Sequence, residues 1–307
     1  MTRHLFVVNP KARGASALAE ECASVCARLG LEYAVRASGR AGEIIGIVSE
    51  EAERGGDARA YILGGDGSLN EAVRGAAGHD NVALSQIPCG TGNDFIRCFG
   101  GRDVFLDIEG LITGRELLLD LIDVAIDGEP PRYAVNICSA GVDADVAAGV
   151  ERTKWARRWG SKTPYNLSLA AAVLRGVKRP YTVTVDGRRQ EGHFTIITCC
   201  NGQVYGGGFK ACPDADPSDG RLEFLLVRGM SRLTLMRIVG DYAAGRYKEM
   251  TKYIRHTPGK AMIIEAAKPF FVNYDGETVS ARRAAFALSA HKLRFVVPET
   301  AITPSVR

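Results

Sequence analysis

Two spacings of apolar residues alternate along the first third of the chain. Short runs rich in β-branched residues predict strands, and between them apolar residues recur every three to four positions or so, as in amphipathic helices. The strands are predicted at 5–8, 32–35, 60–63 and 83–87, and the helices at 15–29, 42–54 and 68–77. This alternation predicts a parallel sheet covered by helices, because parallel strands need crossover connections.

The pattern changes after about residue 120. Strand-like runs then follow one another through short turns, several of which contain Asp-Gly pairs, and helical spacing returns only twice. The strands are predicted at 117–126, 133–138, 181–185, 194–200, 222–227, 261–265, 270–274 and 293–297, and the helices near 166–177 and 231–244. The second part of the chain should therefore be a mainly antiparallel β-sandwich.

Together the two patterns predict an α/β plus β protein with two domains. Residues 1–122 should form a Rossmann-like parallel α/β domain, and residues 123–298 a β-sandwich domain. Residues 299–307 would be a tail that packs back on the first domain. A chain of 307 residues is long enough for each domain to bury its own core.

Composition narrows the class of protein. The net charge of +4 is too small to indicate nucleic-acid binding, although it is compatible with weak attraction to anionic lipid. No apolar run approaches the roughly 20 residues of a membrane-spanning helix. The eight cysteines include no Cys-x-x-Cys pair, which favours a reduced, intracellular protein.

The first candidate chemistry lies in the Gly-Gly-Asp-Gly sequence at 64–67, between a predicted strand and a helix. Glycines let backbone N–H groups approach phosphate, and a helix N-terminus adds its positive dipole end. A P-loop would need lysine where Ser68 stands, and a dinucleotide fingerprint would need glycine where Asn70 stands. A carboxylate at Asp66 favours phosphoryl transfer through Mg²⁺; a tight turn capped by Asp66 is the alternative.

A second loop of glycine and polar residues, 89–94, follows the next predicted strand. The carboxyl ends of parallel strands face one edge of a sheet, where ligands of such folds bind. We therefore expect the two loops to form one phosphate site.

These loops, with Asn9-Pro10-Lys11 after the first strand, resemble the catalytic domain of the diacylglycerol kinase family. The layout is similar to the soluble bacterial lipid kinases, with sphingosine and ceramide kinases as relatives and NAD kinases more distant. Further marks of the family are the segments 136–144, 206–210 and 213–222 and the sequence Asp275-Gly276-Glu277. The resemblance covers nearly the whole chain.

The resemblance implies an ATP site with Mg²⁺ as cofactor. Asp66 would organise Mg²⁺–ATP, and Asp123 would contribute through the metal or its waters; an ordinary strand residue is the alternative for Asp123. Ser38 stands where relatives often have threonine and keeps the hydroxyl. The implied ATP-binding residues are Asn9, Ser38, Gly64, Gly65, Asp66, Gly67, Ser68, Leu69, Asn70 and Thr91.

The resemblance also implies two acidic sites in the second domain. A structural Mg²⁺ would be held by Asp216, Asp219 and the carbonyl of Arg221, whereas an Asx turn would need no metal. Asp275 or Glu277 would be the general base for the acceptor hydroxyl, with a plain hairpin turn as the alternative. The sequence does not distinguish the two carboxylates.

The expected activity is transfer of the γ-phosphoryl group of ATP to a lipid hydroxyl, with diacylglycerol as the default acceptor, phosphatidic acid as the product and a place in phospholipid biosynthesis. Phosphatidylglycerol, a sphingoid base or ceramide, an isoprenoid alcohol and NAD are alternative acceptors. The alternative that is not an enzyme is a regulator that binds nucleotide or lipid without catalysis.

A lipid substrate implies a cytoplasmic protein in peripheral contact with the inner face of the membrane. Residues 152–162 contain both tryptophans and five basic residues, which is typical of segments that lie at a bilayer surface. A solvated helix with its tryptophans folded onto the second domain is the alternative. Exposed edge strands in that domain could pair two copies into a homodimer.

Overall fold

The computed structural model describes residues 2–153, 171–172 and 176–304. Most of the helix predicted near 166–177 lies outside these residues, as do residues 154–162 of the predicted docking segment.

The strands are β1 (Arg3–Val8), β2 (Tyr33–Ala37), β3 (Ala58–Gly64), β4 (Val82–Pro88), β5 (Arg115–Ile126), β6 (Arg132–Ala134), β7 (Ile137–Gly141), β8 (Arg179–Val185), β9 (Arg188–Cys200), β10 (Leu222–Arg228), β11 (Ile254–Gly259), β12 (Ala261–Tyr274) and β13 (Glu277–Val297). The α-helices are α1 (Ala15–Leu29), α2 (Glu43–Glu53), α3 (Asp66–Ala76), α4 (Arg102–Phe105), α5 (Ile108–Ile112), α6 (Val142–Arg152) and α7 (Arg232–Ala243), and Phe95–Phe99 and Tyr247–Met250 form 3₁₀ turns.

The first four strands pair in parallel, in the order β2-β1-β3-β4. Strands β1, β3 and β4 are buried along almost their full length because helices cover them. Near-continuous apolar runs are typical of parallel strands that are covered on both faces. The parallel sheet with crossover helices follows the sequence prediction.

The strands from β5 to β12 pair antiparallel with their neighbours, which makes the second part of the chain β-rich, as predicted. Strand β13 joins the two parts. It is 21 residues long and pairs antiparallel with β5 and β12. Near its end, Arg294 and Phe295 pair in parallel with β4.

Several stretches of strand were missed by the sequence analysis, among them 188–193 of β9. Only 293–297 of β13 was predicted, because its earlier part contains alanines and two adjacent arginines that have low strand propensity. Strand β11 was not predicted, since Pro258 and Gly259 weaken its pattern. It lies at one edge of the sheet, where a proline is tolerated.

Three clusters of buried apolar side chains form the core. The first lies between the parallel strands and their helices, and it includes Phe295, whose ring packs on Phe95, Phe99 and Phe105. The second fills the β-rich part, and the third lies beneath α6 and α7. Ala301 is buried in the first cluster. The domain boundaries remain predictions.

Two further properties concern the chain as a whole. All eight cysteines are buried and free of disulfide bonds. Within the described residues, every helix is too short or too polar to cross a bilayer.

The packing of α2 on α3 gives a test of the fold. A Cβ added at Gly75 of α3 would lie 2.5 Å from the carbonyl oxygen of Ile45, so Gly75→Ala should cost about 1–3 kcal/mol of unfolding free energy. A Cβ at Gly46 of α2 meets nothing within 4 Å, so Gly46→Ala should instead stabilise by about 0.5–1 kcal/mol. Urea unfolding of both variants measures the two changes in unfolding free energy. Equal stabilities of the two variants would contradict the close packing of α2 on α3.

Candidate active site

Two loops meet at the carboxyl edge of the parallel strands. Loop 1, residues 64–68, joins β3 to α3, and loop 2, residues 89–94, follows β4. A Cβ on Gly90 would lie only 2.5 Å from the Cα atom of Gly65. Position 90 requires glycine because the two backbones approach so closely, and a Cβ on Gly65 would lie 3.2 Å from the Cα atom of Gly90, closer than an ordinary contact. The structure thus brings the two predicted loops together.

The carboxylate of Asp66 holds loop 2 in shape. Its Oδ2 accepts the N–H of Asn93 at 2.9 Å, and its Oδ1 accepts the N–H of Asp94 at 2.6 Å. A Cβ on Gly92 would collide with this carboxylate. Asn93 has a φ of 51°, a left-handed conformation that asparagine tolerates better than most residues. Asp66 therefore caps the neighbouring loop, and its role toward Mg²⁺ stays a prediction.

A cavity of about 310 Å³ opens at the start of α3, and we call it the α3 cavity. Five predicted ATP-binding residues line it: Asn9, Ser38, Gly65, Gly67 and Ser68. The sequence analysis had not assigned the other lining residues to the site; they are Lys11, Gly39, Arg40, Ala41, Ile44 and Glu71. Lys11 lies within a motif that carried the family resemblance, so the sequence could have assigned Lys11 to the site. Arg40 lies in no such motif.

The wall of the α3 cavity is built from the ends of β1 and β2 and the first turn of α3. Asn9 donates from Nδ2 to the Ser68 hydroxyl at 3.0 Å, and Ser38 donates from its hydroxyl to the Val8 carbonyl at 3.4 Å. Leu69 is buried in the first core cluster, so only its backbone could face a ligand. Gly64 packs against Ser68 beneath the loop.

Thr91 lies on the other side of loop 2, in a second cavity of about 510 Å³ that we call the loop 2 cavity. Three cationic side chains, Arg97, Arg102 and Lys210, line it. Asp94, the last residue of loop 2, accepts the N–H of Gly207 with its Oδ2 at 2.6 Å. Burial raises the pKa of Asp94, against the opposing effect of the Gly207 N–H. This contact ties loop 2 to the β-rich part of the chain.

Asp275 stands in a two-residue turn between β12 and β13 and has a φ of 47°. Positive φ at both turn residues fits a tight Asp-Gly hairpin. Its carboxylate accepts four hydrogen bonds at 2.7–3.4 Å, from the N–H groups of Val135, Asn136 and Ile137 and from Nδ2 of Asn70. Burial raises the pKa of Asp275 to about 6, and these donors offset part of that rise.

Glu277 lies just beyond the same turn, and its side chain is 42% exposed. Its Oε1 accepts from Nη1 of Arg74 at 3.1 Å, and its Oε2 accepts from the Tyr274 hydroxyl at 2.8 Å. Asn70 and Arg74 are four residues apart on α3, so one face of this helix contacts both carboxylates. The sequence analysis missed Arg74, although its spacing from Asn70 was a usable signal.

The predicted structural metal loop is closed by its own hydrogen bonds. Asp216 accepts the N–H of Ser218 at 3.0 Å, and Asp219 accepts the N–H of Arg221 at 2.9 Å. Both are local turns of the Asx kind. Among the described residues, no three His, Cys, Asp or Glu side chains gather as a metal-binding group. A cation here would therefore depend on carbonyl oxygens such as that of Arg221.

Acidic groups crowd this loop. Burial raises the pKa of Asp219, and the charges of Asp216, Glu223 and Asp120 raise it further. Asp120 is fully buried, forms an ion pair with Lys292 and accepts the N–H of Gly220 at 2.8 Å. The predicted metal at Asp216 and Asp219 stays a prediction. The sequence analysis missed Asp120, since it lies in the middle of a strand.

Asp123 occupies β5 opposite Tyr133 of β6 and Ala287 of β13. Its Oδ1 is buried and has no hydrogen-bond partner among the described residues. The described contacts do not join Asp123 to loop 1, so its predicted part in holding Mg²⁺–ATP remains a prediction.

Two family models match this architecture, one over each part of the chain. Residues 3–124 match the family model described as "Diacylglycerol kinase catalytic domain". Residues 136–297 match the model described as "YegS C-terminal NAD kinase beta sandwich-like domain". The chain belongs to the diacylglycerol kinase family, in its bacterial type with a YegS-like C-terminal domain, and is a kinase.

Individual relatives agree with this assignment. The chain is 28% identical over 270 residues to a Staphylococcus epidermidis protein named "Putative lipid kinase", a match that covers 86% of this chain and 84% of that protein. It is 27% identical over 222 residues to a protein named "Diacylglycerol kinase" from Mycobacterium tuberculosis, with 71% and 70% covered. A crystal structure of a Bacillus anthracis diacylglycerol kinase shares the fold with a TM-score of 0.72, 18% identity and 98% of both chains covered.

The pH dependence of the unfolding free energy should show the raised pKa of Asp143, which lies at the start of α6. Burial raises the pKa of Asp143 from 3.8 to about 6, although the Tyr205 hydroxyl donates to its Oδ2 at 2.9 Å. Because the folded protein binds this proton more tightly than the unfolded chain, the carboxyl costs nothing below pH 4 or so and destabilises the fold as the pH rises through about 6.

We therefore expect the unfolding free energy of Asp143→Asn, relative to that of the native protein, to be about 2 kcal/mol higher at pH 7.5 than at pH 4. This figure allows for partial exposure of the side chain. Urea unfolding at the two pH values measures the change, which is independent of any constant cost of the substitution. A stability difference that does not change with pH would contradict the raised pKa.

Proposed function

We propose that the protein is an ATP- and Mg²⁺-dependent lipid kinase that phosphorylates the hydroxyl of a membrane lipid, with diacylglycerol as the first candidate acceptor. The observation that carries the proposal is the α3 cavity, in which five residues implied by the family resemblance converge at a helix N-terminus. Membership of the diacylglycerol kinase family supports it.

The α3 cavity suits the phosphates of ATP. Backbone N–H groups of loop 1 and the N-terminus of α3 attract negative charge. The exposed Lys11 and Arg40 add two cations at the rim. A Cβ on Gly67 would meet nothing within 4 Å, so the space above the loop is open. The cavity therefore combines room, N–H donors and positive charge.

Mg²⁺, when bound, would neutralise charge on the phosphate oxygens. Asp66 is the residue that would hold it, through a water. Each oxygen of Asp66 already accepts one backbone N–H. A carboxylate oxygen has a second lone pair, so Asp66 can shape loop 2 and still orient a metal-bound water.

Hydrogen bonding separates the two carboxylates of the hairpin turn. Asp275 accepts four hydrogen bonds, which fills the roughly four lone-pair sites of a carboxylate. Glu277 accepts two, from Arg74 and Tyr274, and is partly exposed. We assign Glu277 as the general base that takes the proton of the acceptor hydroxyl, and Asp275 as a residue that positions the turn.

The test is transfer of labelled γ-phosphate from ATP and Mg²⁺ to a panel of detergent-dispersed lipids, with NAD assayed separately. The panel contains diacylglycerol, phosphatidylglycerol, ceramide, a sphingoid base and an isoprenoid alcohol. Glu277→Gln should lower kcat by at least ~100-fold, since general-base catalysis contributes on that order. ATP binding to this variant should be unchanged, because Glu277 does not line the α3 cavity.

Asp186→Asn is the matched control. Asp186 occupies an Asp-Gly turn with a φ of 45°, between β8 and β9, and its carboxylate accepts the N–H groups of Lys260 and Ala261. Asp186→Asn disturbs a similar Asp-Gly turn that lies away from the candidate site, so it should leave kcat unchanged. Phosphorylation of NAD but of no lipid would reject the proposal, and full activity of Glu277→Gln would reject the assignment of the base.

A further inference from the structure

Helix α7 presents large apolar side chains to solvent. Leu233 is 73% exposed and Met236 is 68% exposed, the two highest values among the large apolar residues that the structure describes. Val239, 40% exposed, continues the row at the same spacing of three. We call these three residues the α7 stripe. The opposite face of the helix packs into the third core cluster through Leu235 and Tyr242.

A helix at a water-facing surface normally carries polar residues on its outer face. Single exposed apolar residues are common, but a contiguous row indicates a contact surface. The N-terminal capping of α7 is regular, with the Ser231 hydroxyl accepting the N–H of Thr234 at 3.1 Å. The exposed row therefore belongs to a well-formed helix.

The charges on α7 are mainly positive. Arg232 and Arg237 are exposed beside the α7 stripe. The sole acidic residue within the helix is Asp241, which pairs with Arg246. An apolar row flanked by arginines matches a surface that is apolar inside and anionic outside, such as a bilayer of acidic phospholipid.

The end of α7 adjoins the loop 2 cavity. The carbonyl of Ala243 accepts the N–H of Lys210 at 3.0 Å, and a Cβ on Gly245 would lie 2.5 Å from Cγ of Pro213. Lys210 and Pro213 line the loop 2 cavity. Lys210 has no ion-pair partner among the described residues. The stripe and the cationic cavity beside the candidate site are therefore neighbours.

We propose that the α7 stripe docks the protein on an anionic phospholipid bilayer. Leu233 and Met236 insert among the lipid headgroups, Arg237 contacts their phosphates, and the loop 2 cavity faces the membrane. The inference rests on the proposed function, because an acceptor that stays in a bilayer requires the site to reach its surface. It assigns this contact to a helix other than the predicted segment 152–162.

The experiment is sedimentation of the full chain with vesicles of equal parts phosphatidylglycerol and phosphatidylcholine, without ATP. Leu233→Gln combined with Met236→Gln should weaken vesicle binding at least ~10-fold, since removal of two inserted apolar side chains has an effect of that order. The matched control is Leu118→Gln on β5, which replaces a side chain that is 59% exposed elsewhere and should bind as the native protein does.

Arg237→Gln adds a second, graded readout. Its binding should fall several-fold at low salt and approach that of the native protein at high salt, since the lost attraction is electrostatic. Thermal unfolding of each variant confirms that the fold is intact. Unchanged vesicle binding by the double variant would overturn the proposal, as would a native protein that binds no vesicles.

Light scattering supplies a further check. A double variant that changes from dimer to monomer and still binds vesicles would assign the α7 stripe to a second copy of the chain and overturn the proposal. The sedimentation assay contains no nucleotide, so its outcome is separate from that of the kinase assay. Vesicle binding without phosphorylation of any lipid would support the α7 stripe as a docking surface and reject the proposed lipid kinase activity.

Discussion

The arrangement of the candidate site depends on the carboxylate of Asp275. Three consecutive N–H groups, two from the link between β6 and β7 and one from the first residue of β7, donate to it, as does the amide of Asn70 on α3. These donors belong to segments far apart in sequence, with Asn70 lying 205 positions from Asp275. Because an enclosed carboxylate is costly without such donors, the four contacts fix α3, the strand link and the hairpin relative to one another.

Helix α3 extends this constraint to loop 2 and the α3 cavity. Its first residue, Asp66, holds loop 2, and Ser68 contributes to the wall of the α3 cavity. One turn later Asn70 reaches Asp275, and Arg74 reaches Glu277. A single short helix thus sets the distance between the phosphate loops and the proposed base, which matters because phosphoryl transfer depends mainly on alignment.

Much of this could be predicted from the sequence where the signal was local. The strand-helix alternation predicted the parallel sheet, and the two glycine loops predicted the edge at which five of the predicted ATP-binding residues meet. Long-range contacts could not be predicted in the same way. Asp127, Asp186 and Asp275 all occupy left-handed positions before glycine, yet the tertiary contacts that distinguish Asp275 arise from strands that no local pattern connects. The same reason hid the contacts of Asp120 with Gly220 and Lys292.

The double pairing of β13 has a consequence for how the chain is made. Phe295 fills the centre of an aromatic group formed by Phe95, Phe99 and Phe105, and its strand completes the parallel sheet beside β4. A ribosome therefore releases the first strands long before their last partner exists. Until then β4 has an open edge and the three rings lack their neighbour, a situation in which chains are prone to aggregate. Folding of the parallel sheet is thereby coupled to synthesis of β13.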